Sequence, residues 1–283
     1  MFTLKITNSK GQIFELTHDL RNYAVIDVQG LTRPRAQINR TIAGTLDGSF
    51  YNSARVEERN IVLTVVLNGD IEANRQQLYN IFPIPRQKCD ILWMSRNRNV
   101  TIEGYIEVLE SNLFENRETV QISIICPRPY FQDAEAIFTE LSEVVKMFEF
   151  PFAISEPIPF SEVLDHSVAT VNNIGDVVSG LKIAADITSD VTGLTIYNTT
   201  TSEYLGFDFT FASGDHIDIS TMSGKLYARL LRAGQTVNLM KYLKSGSKWL
   251  KLALGENDFT YTATSGDDAV SITLETANLY GGI

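Results

Sequence analysis

The residues with chemistry to offer are few. Histidine is the usual carrier of proton transfer near neutral pH, and this 283-residue chain has three: His18, His166 and His216. Asp165-His166-Ser167 holds the letters of a nucleophilic triad. Neighbours in sequence cannot take triad geometry, which needs parts brought together from different elements. A polar turn is the expected reading. His216 and Asp218 alternate, so on a strand they share one face, where two ligands of a metal could sit. No third ligand is indicated, and a strand starting after the turn Gly214-Asp215 is expected instead. Asp267-Asp268 lacks the spaced ligands of a calcium loop and reads as a hairpin tip. The chain contains no GxGxxG, GxxxxGK[ST], HExxH or GxSxG. A glycosidase carboxylate pair is spatial and leaves no local signature; nothing points to one. No catalytic residue, cofactor or metal is therefore assigned, and the chain is expected not to be an enzyme.

Binding chemistry is also sparse. Cys89 and Cys126 form no CxxC or metal pattern and are expected as buried, reduced thiols, with a disulfide as the alternative. Trp249 lies in the alternating stretch Ser247-Lys248-Trp249-Leu250-Lys251-Leu252, which predicts a strand with the indole in the core. It is also the named candidate for a sugar contact, should the second half bind carbohydrate, with tyrosines such as Tyr197, Tyr204 and Tyr227 as further flat surfaces if exposed. Arg33, Arg35, Arg40, Arg96 and Arg98 could touch phosphate. With few aromatics among them and Asp47, Glu57 and Glu58 nearby, they read better as inter-subunit salt links or a solvated loop.

Charge separates two halves. Residues 1–130 carry 15 basic against 14 acidic side chains, a net of +1, and residues 131–283 carry 9 against 20, a net of −11, which together give the −10 of the chain. The second half should repel nucleic acid and stay soluble, while the first suits packing against other subunits. No apolar run approaches the roughly 18 residues that span a bilayer, so no membrane insertion is expected. The start, Met1-Phe2-Thr3-Leu4-Lys5-Ile6-Thr7, alternates like a strand and lacks the pattern of a signal peptide, so folding in a cytoplasm is expected.

The elements that would position these residues divide at Cys126-Pro127-Arg128-Pro129-Tyr130-Phe131-Gln132-Asp133. Two prolines fix φ, extend the residues before them and donate no hydrogen bond, so a strand should end there. Pro127, Pro129 and Tyr130 are read as an elbow between two domains, 1–131 and 132–283. In the first, a hairpin turning at Lys10-Gly11 leads to a strand from Tyr23. Residues 31–60 form a polar loop or hairpin too long for a compact domain unless it is functional or ordered by a neighbour. Asn60 to Leu67 reads as a strand buried on both faces. Asp70 can cap a helix from Ile71 to Phe82, with Ile71, Leu78 and Phe82 on one stripe and Pro83 and Pro85 ending it. Strands follow at 89–94, 100–109 and 119–126. Residues 134–149 fit either a helix, on Ile137, Leu141, Val144, Val145 and Phe148, or an irregular arm, before a crossing with Pro151, Pro157 and Pro159. From Ser167 on, short β-rich runs between Gly, Asn and Asp turns recur about every ten residues, the signal of an antiparallel sandwich.

A family resemblance enters through Gly44-Thr45-Leu46-Asp47-Gly48-Ser49, Arg59-Asn60-Ile61-Val62-Leu63, Arg75-Gln76-Gln77-Leu78-Tyr79 and the Cys126 to Phe131 elbow. It continues through Phe148-Glu149-Phe150-Pro151-Phe152, Asn172-Asn173-Ile174-Gly175-Asp176, Asn198-Thr199-Thr200-Thr201, Leu254-Gly255-Glu256-Asn257-Asp258-Phe259 and Leu279-Tyr280-Gly281-Gly282-Ile283. In this order they resemble the distal tail proteins of long-tailed, siphovirus-type bacteriophages, over essentially the whole chain. The resemblance implies a mainly β chain: an N-terminal β-sandwich or split-barrel-like domain with one helix, similar to the tail-tube fold, and a C-terminal galectin-like antiparallel β-sandwich. It implies a homo-hexameric ring at the tail tip or baseplate of a phage or prophage, made in the bacterial host cytoplasm. The ring joins the tail tube to the tip and passes DNA without binding it specifically. Its neighbours would be the tail tube protein, the tape-measure protein, the tail-associated hub protein and, in some cases, receptor-binding proteins. Arg33, Arg35, Arg40, Gly48 and Arg59 are the ring-interface candidates, and deleting residues 35–54 should leave a folded monomer. The alternative is a carbohydrate-binding adhesion module that contacts host cell-wall polysaccharide.

Overall fold

The computed structural model describes residues 2–17, 21–42, 44–45, 47–82, 88–95, 98–113, 117–141 and 168–283. The chain divides into two units, residues 1–134 with 279–283, and residues 135–278. The boundary thus falls at 134/135, beyond the expected 131/132. The last five residues, expected in the second domain, belong to the first unit: Leu279–Tyr280 pairs with a strand of that unit.

Unit 1 contains β1 (Thr3–Asn8), β2 (Ile13–Leu16), β3 (Tyr23–Gln29), β4 (Ala36–Thr41), β5 (Phe50–Val56), β6 (Arg59–Leu67), α1 (Ile71–Ile81), β7 (Lys88–Met94), β8 (Asn99–Ser111), β9 (Thr119–Cys126) and β10 (Phe131–Asp133). Its main sheet is antiparallel in the order β2-β1-β7-β8-β9-β6-β3, with β10 paired to β8 and to Leu279–Tyr280. The backbone N–H of Val25 donates to the Thr17 carbonyl at 3.3 Å, so the two end strands meet and the sheet is nearly closed on itself. Period-two alternation sends Leu4, Ile6, Phe14, Leu16, Ile61, Leu63, Val65, Ile91, Ile102, Ile122 and Ile124 into the interior. β6 keeps this alternation as far as Val65, with Asn60 exposed and Val62 and Thr64 half-buried. The expectation of burial on both faces holds only at the end of β6, where Val65, Val66 and Leu67 are all buried; the first part of the strand has one inner face.

α1 starts where Asp70 predicts: its carboxylate accepts from the Ala73 N–H at 3.1 Å. Leu78 and Phe82 are buried, and Phe82 meets Phe14 edge-on at 5.5 Å. Tyr23 donates its hydroxyl to the Asn74 carbonyl at 3.0 Å, and Asn8 Nδ2 donates to the Ile81 carbonyl at 2.9 Å. Pro83 and Pro85 lie outside the described residues.

Unit 2 contains β11 (Ile137–Leu141), β12 (Ala169–Asn173), β13 (Lys182–Ile187), β14 (Val191–Thr192), β15 (Thr195–Asn198), β16 (Glu203–Gly206), β17 (Thr210–Phe211), β18 (His216–Ser220), β19 (Tyr227–Arg232), β20 (Gln235–Asn238), β21 (Gly255–Thr262) and β22 (Val270–Thr276). A six-stranded sheet, β11-β22-β13-β18-β19-β20, and a four-stranded sheet, β12-β21-β15-β16, enclose one core. Ile183, Ile217, Leu230 and Ile272 come from the first sheet; Val171, Ile196, Leu205 and Phe259 come from the second. This is the expected antiparallel sandwich.

Two local expectations fail here. Residues 137–141 are a strand. Only Leu141 is buried, Ile137 and Phe138 are exposed, and β22 supplies the backbone partners. The i, i+4 spacing of Ile137 and Leu141 also fits a strand, on which both lie on one face; residues 142–149 and the prolines that follow lie outside the described residues. Residues 247–252 form no strand. They are held by the Lys248 N–H on the Tyr204 carbonyl at 2.8 Å and by the Leu252–Ser179 bridge.

Candidate functional site

The long polar segment 31–60 is a hairpin that stands on its own. Among the described residues β4 and β5 pair only with each other, and all thirteen of their residues are exposed. Register sorts them into two faces. Ala36 faces Val56, Ile38 faces Ala54 and, past a bulge, Arg40 faces Tyr51. These pairs share one face, largely apolar. On the other, Arg55 Nε donates to Gln37 Oε1 at 2.8 Å, Asn39 faces Ser53, and Asn52 Nδ2 donates to Thr41 Oγ1 at 2.8 Å. Ile38 is 59% exposed, Tyr51 69%, Ile42 72% and Phe50 60%. A two-stranded hairpin is at best marginal alone in water, and its free edges and apolar face invite a second chain. The arm has the chemistry of an assembly element, with nothing in the described residues of this chain covering it.

The root of the arm is built in the opposite way. Arg59, 2% exposed, opens β6 just after the arm. Its guanidinium donates to the Gly30 carbonyl, to the Thr32 carbonyl at 2.6 Å, to the Pro129 carbonyl at 2.7 Å and to the Gly281 carbonyl at 2.7 Å. It also lies 4.4 Å from the centre of the Phe131 ring. One planar fork thus ties together the link entering the arm, the Pro127 to Tyr130 segment and the returning residues 279–283. These four partners are carbonyl dipoles, and burial pulls its pKa below the ordinary arginine value. Gly30, at φ +84°, permits this closeness, since a Cβ there would stand 2.0 Å from the Asn60 carbonyl oxygen. The Ile283 N–H donates to the Leu31 carbonyl at 3.1 Å, and Arg98 lies over Tyr280 at 4.4 Å.

Of the ring-interface candidates, Arg33, Arg35, Arg40 and Gly48 are all exposed on the arm or at its base. Arg35 reaches Glu57 at 3.9 Å, a loose pair with the arginine side chain 88% exposed. Gly48, at φ +92°, sits at the tip in open space. Arg59 is corrected: a guanidinium consumed by four carbonyls inside unit 1 offers nothing to a neighbour. Its neighbours Pro129 and Phe131 were the only hint, and a carbonyl acceptor has no letter in a sequence. At the elbow, β9 does end at Cys126, and Arg128 Nη2 pairs with Glu103 at 2.7 Å.

Trp249 is half-buried against the unit 2 core. His216 Nδ1 meets Asp186 at 2.7 Å, while Asp218 pairs with Arg229 at 2.6 Å; among the described residues no three His, Cys, Asp or Glu side chains gather at a metal-binding distance. His18, Arg96 and the stretch 165–167 lie outside the described residues. Cys89 and Cys126 are free and buried, and desolvation pushes both thiols up to about 12. No helix of the described residues is long and apolar enough to cross a membrane.

The motifs of unit 2 prove to be structural staples. Asn198 Nδ2 donates to Asn257 Oδ1 at 3.2 Å and to the Lys251 carbonyl at 2.9 Å, while Asn257 exchanges two 2.8 Å bonds with the backbone of Ala253. Asn173 Nδ2 donates to the carbonyls of Val177 and Leu252.

Residues 174–276 match the family described as siphovirus-type tail component, C-terminal domain. No curated protein matches the chain. Among solved structures, the chain is similar to the Dit protein (gp 19.1) of phage SPP1, described as a paradigm of the hub adsorption apparatus in phages infecting Gram-positive bacteria. The TM-score is 0.67 at 15% identity, covering 98% of this chain and 99% of that one. It is also similar to a chain of the phage P2 baseplate in its activated conformation with Ca, with TM-score 0.53, 10% identity and coverage of 97% and 98%. A third likeness is to the same baseplate with Sr, at TM-score 0.52, 9% identity and 98% coverage of both chains.

Proposed function

We propose, from the premise that this chain is a phage tail component of the distal tail family with a place in the tail hub or baseplate, that it closes into a homo-hexameric ring. The ring joins the tail tube to the tip and leaves a channel for DNA. Its neighbours along the axis are the tail tube, tape-measure and tail-associated hub proteins, with receptor-binding proteins outside. The chain is made in the cytoplasm of the bacterial host. The observation that carries this reading is the arm, thirteen exposed strand residues with one apolar face. A repeated, one-directional contact from arm to neighbour is heterologous, and such contacts close into rings when the rotation permits. The work is geometric and needs no catalytic group. Pro127, Pro129 and Tyr130 lie within unit 1, ahead of β10, and unit 2 is galectin-like.

The test is the solution mass of the full chain by light scattering, with negative-stain images, alone and mixed with the tail tube protein. Six copies of 31.6 kDa in a ring are expected. Ile38→Asp with Tyr51→Asp, on the apolar face of the arm, should give a folded monomer. A wild-type chain that stays monomeric with the tube protein present, or a double variant that still forms rings, overturns the reading.

A further inference from the structure

Among the described residues nothing packs on the arm to hold its direction, yet a ring needs that direction fixed before subunits meet. Everything that fixes it lies at the root. The link from β3 to β4 contributes the carbonyls of Gly30 and Thr32, the departing strand contributes Arg59, and the third member is the stretch 279–283. That stretch is built in from several sides. Leu279 and Tyr280 pair with Gln132 and Phe131. Tyr280 is 6% exposed beneath the Arg98 guanidinium. Gly281 accepts from Arg59, and Ile283 donates to Leu31. Gly282 lies against the entering strand, where a Cβ would stand 3.2 Å from the Thr32 carbonyl carbon and 3.3 Å from the Arg33 nitrogen. Arg59 and Gly281 are 222 positions apart, with the whole of unit 2 between them.

We propose that residues 279–283 are a latch for the arm: seated under Arg59, they fix its direction, and unseated they leave it hinged at residues 30–33. Because the latch follows unit 2 in the chain, a chain still being synthesised carries an unaimed arm until unit 2 has been made. The arm becomes competent to dock only then. The latch itself is a property of one subunit; its consequence for assembly rests on the ring reading above.

Distance measurement between two spin labels tests the latch independently of ring formation. Asn39→Cys on the arm and Glu110→Cys on β8, both exposed, accept labels, while the buried Cys89 and Cys126 do not. Labelled chains are diluted into unlabelled ones. The unmodified latch should give one narrow distance distribution. Gly282→Val, which wedges the latch off the entering strand without removing a core side chain, should broaden it at least twofold, and Arg59→Gln should do the same. If Arg59→Gln fails to fold, Gly282→Val decides. An unchanged width in a folded Gly282→Val protein overturns the proposal, whatever the oligomeric state. A broadened width in a chain that never forms rings keeps the latch and removes only its role in assembly.

Discussion

In unit 2, the β19–β20 hairpin turns Ala228 and Leu230 onto the core, and both are buried. In unit 1, the β4–β5 hairpin turns Ala36, Ile38, Ala54 and Val56 to one face, and all four are exposed. The alternation is the same, and so is the type of residue on the apolar side. What differs is the neighbour. β19 pairs with β18 on its far edge and so extends a six-stranded sheet, whereas β4 and β5 have no third strand. Unit 2 is a two-sheet sandwich around one core, and unit 1 is a nearly closed sheet with an unfinished piece attached. Ile38 is 59% and Val56 41% exposed, so covering what remains of each is worth roughly half of the 1.5–3 kcal/mol of full burial, available to a second chain and to no part of the described structure.

The comparison breaks first at the root of the arm. Arg59→Met strips four carbonyls of their donor in a buried place, at about 1–3 kcal/mol for each group that water does not reach. Unit 1 should lose about 3 kcal/mol or more, seen in urea denaturation followed through Trp93 in a Trp249→Phe background. A loss under about 1 kcal/mol would mean the root is held by its strands alone. The second test sets the hairpins against each other. Leu230→Ala should cost unit 2 about 2–5 kcal/mol through the cavity it leaves. Ile38→Ala should move the urea midpoint of the monomer by less than about 0.5 kcal/mol equivalent while weakening assembly. An Ile38→Ala monomer as destabilised as Leu230→Ala would show that the arm is packed within its own subunit.

Acid probes the β19–β20 hairpin next. The Asp215 carboxylate is 2% exposed in its side chain and accepts from Arg232 Nε at 2.8 Å and from the Ala212 N–H at 2.8 Å. The hydrogen bond from Arg232 holds its pKa below the ordinary aspartate value of 3.8. A lowered folded-state pKa stabilises above the ordinary value, and that stability is lost as pH falls through 3.8 and on through the folded value. Unit 2 should therefore lose stability below about pH 4, and Asp215→Asn should flatten that limb of its melting temperature against pH. An Asp215→Asn curve that still falls as steeply would place the acid sensitivity elsewhere.

Much of this was legible before the structure. Asp70 capping α1, the strand ending before Pro127 and the sandwich of unit 2 follow from local chemistry, which needs only neighbours in sequence. The arm was legible as a polar segment too long to be a loop, though its apolar face emerged only with the register that pairs Ile38 with Ala54 across the bulge. The root was not legible. An arginine beside a strand reads as a solvated cation, and its acceptors are backbone carbonyls lying 27, 29, 70 and 222 positions away. Nor did Leu279 to Ile283 show that they return to unit 1, since a five-residue run has too little pattern to name its partner. Residues 137–141 misled because an i, i+4 apolar pair fits a helix stripe and a strand face alike.

The smallest effect concerns the tips. β19 and β20 are joined by Ala233 at φ +48° and Gly234 at φ +78°, between Arg232 and Gln235, which pair. Two central residues with positive φ make the mirror-image turn that matches strand twist, and Asn-Gly fills it best. Alanine in the left-handed region costs roughly 1–2 kcal/mol because Cβ crowds the following carbonyl. Ala233→Asn should therefore stabilise unit 2, by about 0.5–1 kcal/mol once the freedom it adds to the unfolded chain is counted, measured as a raised urea midpoint with unchanged slope. Gly48 at the arm tip has positive φ too, with open space about it. Gly48→Ala should leave the monomer midpoint alone, because no cooperative packing depends on the tip, and should reduce ring formation if that φ is used in the docked arm. Should Gly48→Ala shift the monomer midpoint as much as Ala233→Asn does, in the opposite sense, the arm would fold cooperatively with unit 1. The contrast between a finished and an unfinished hairpin would then fail.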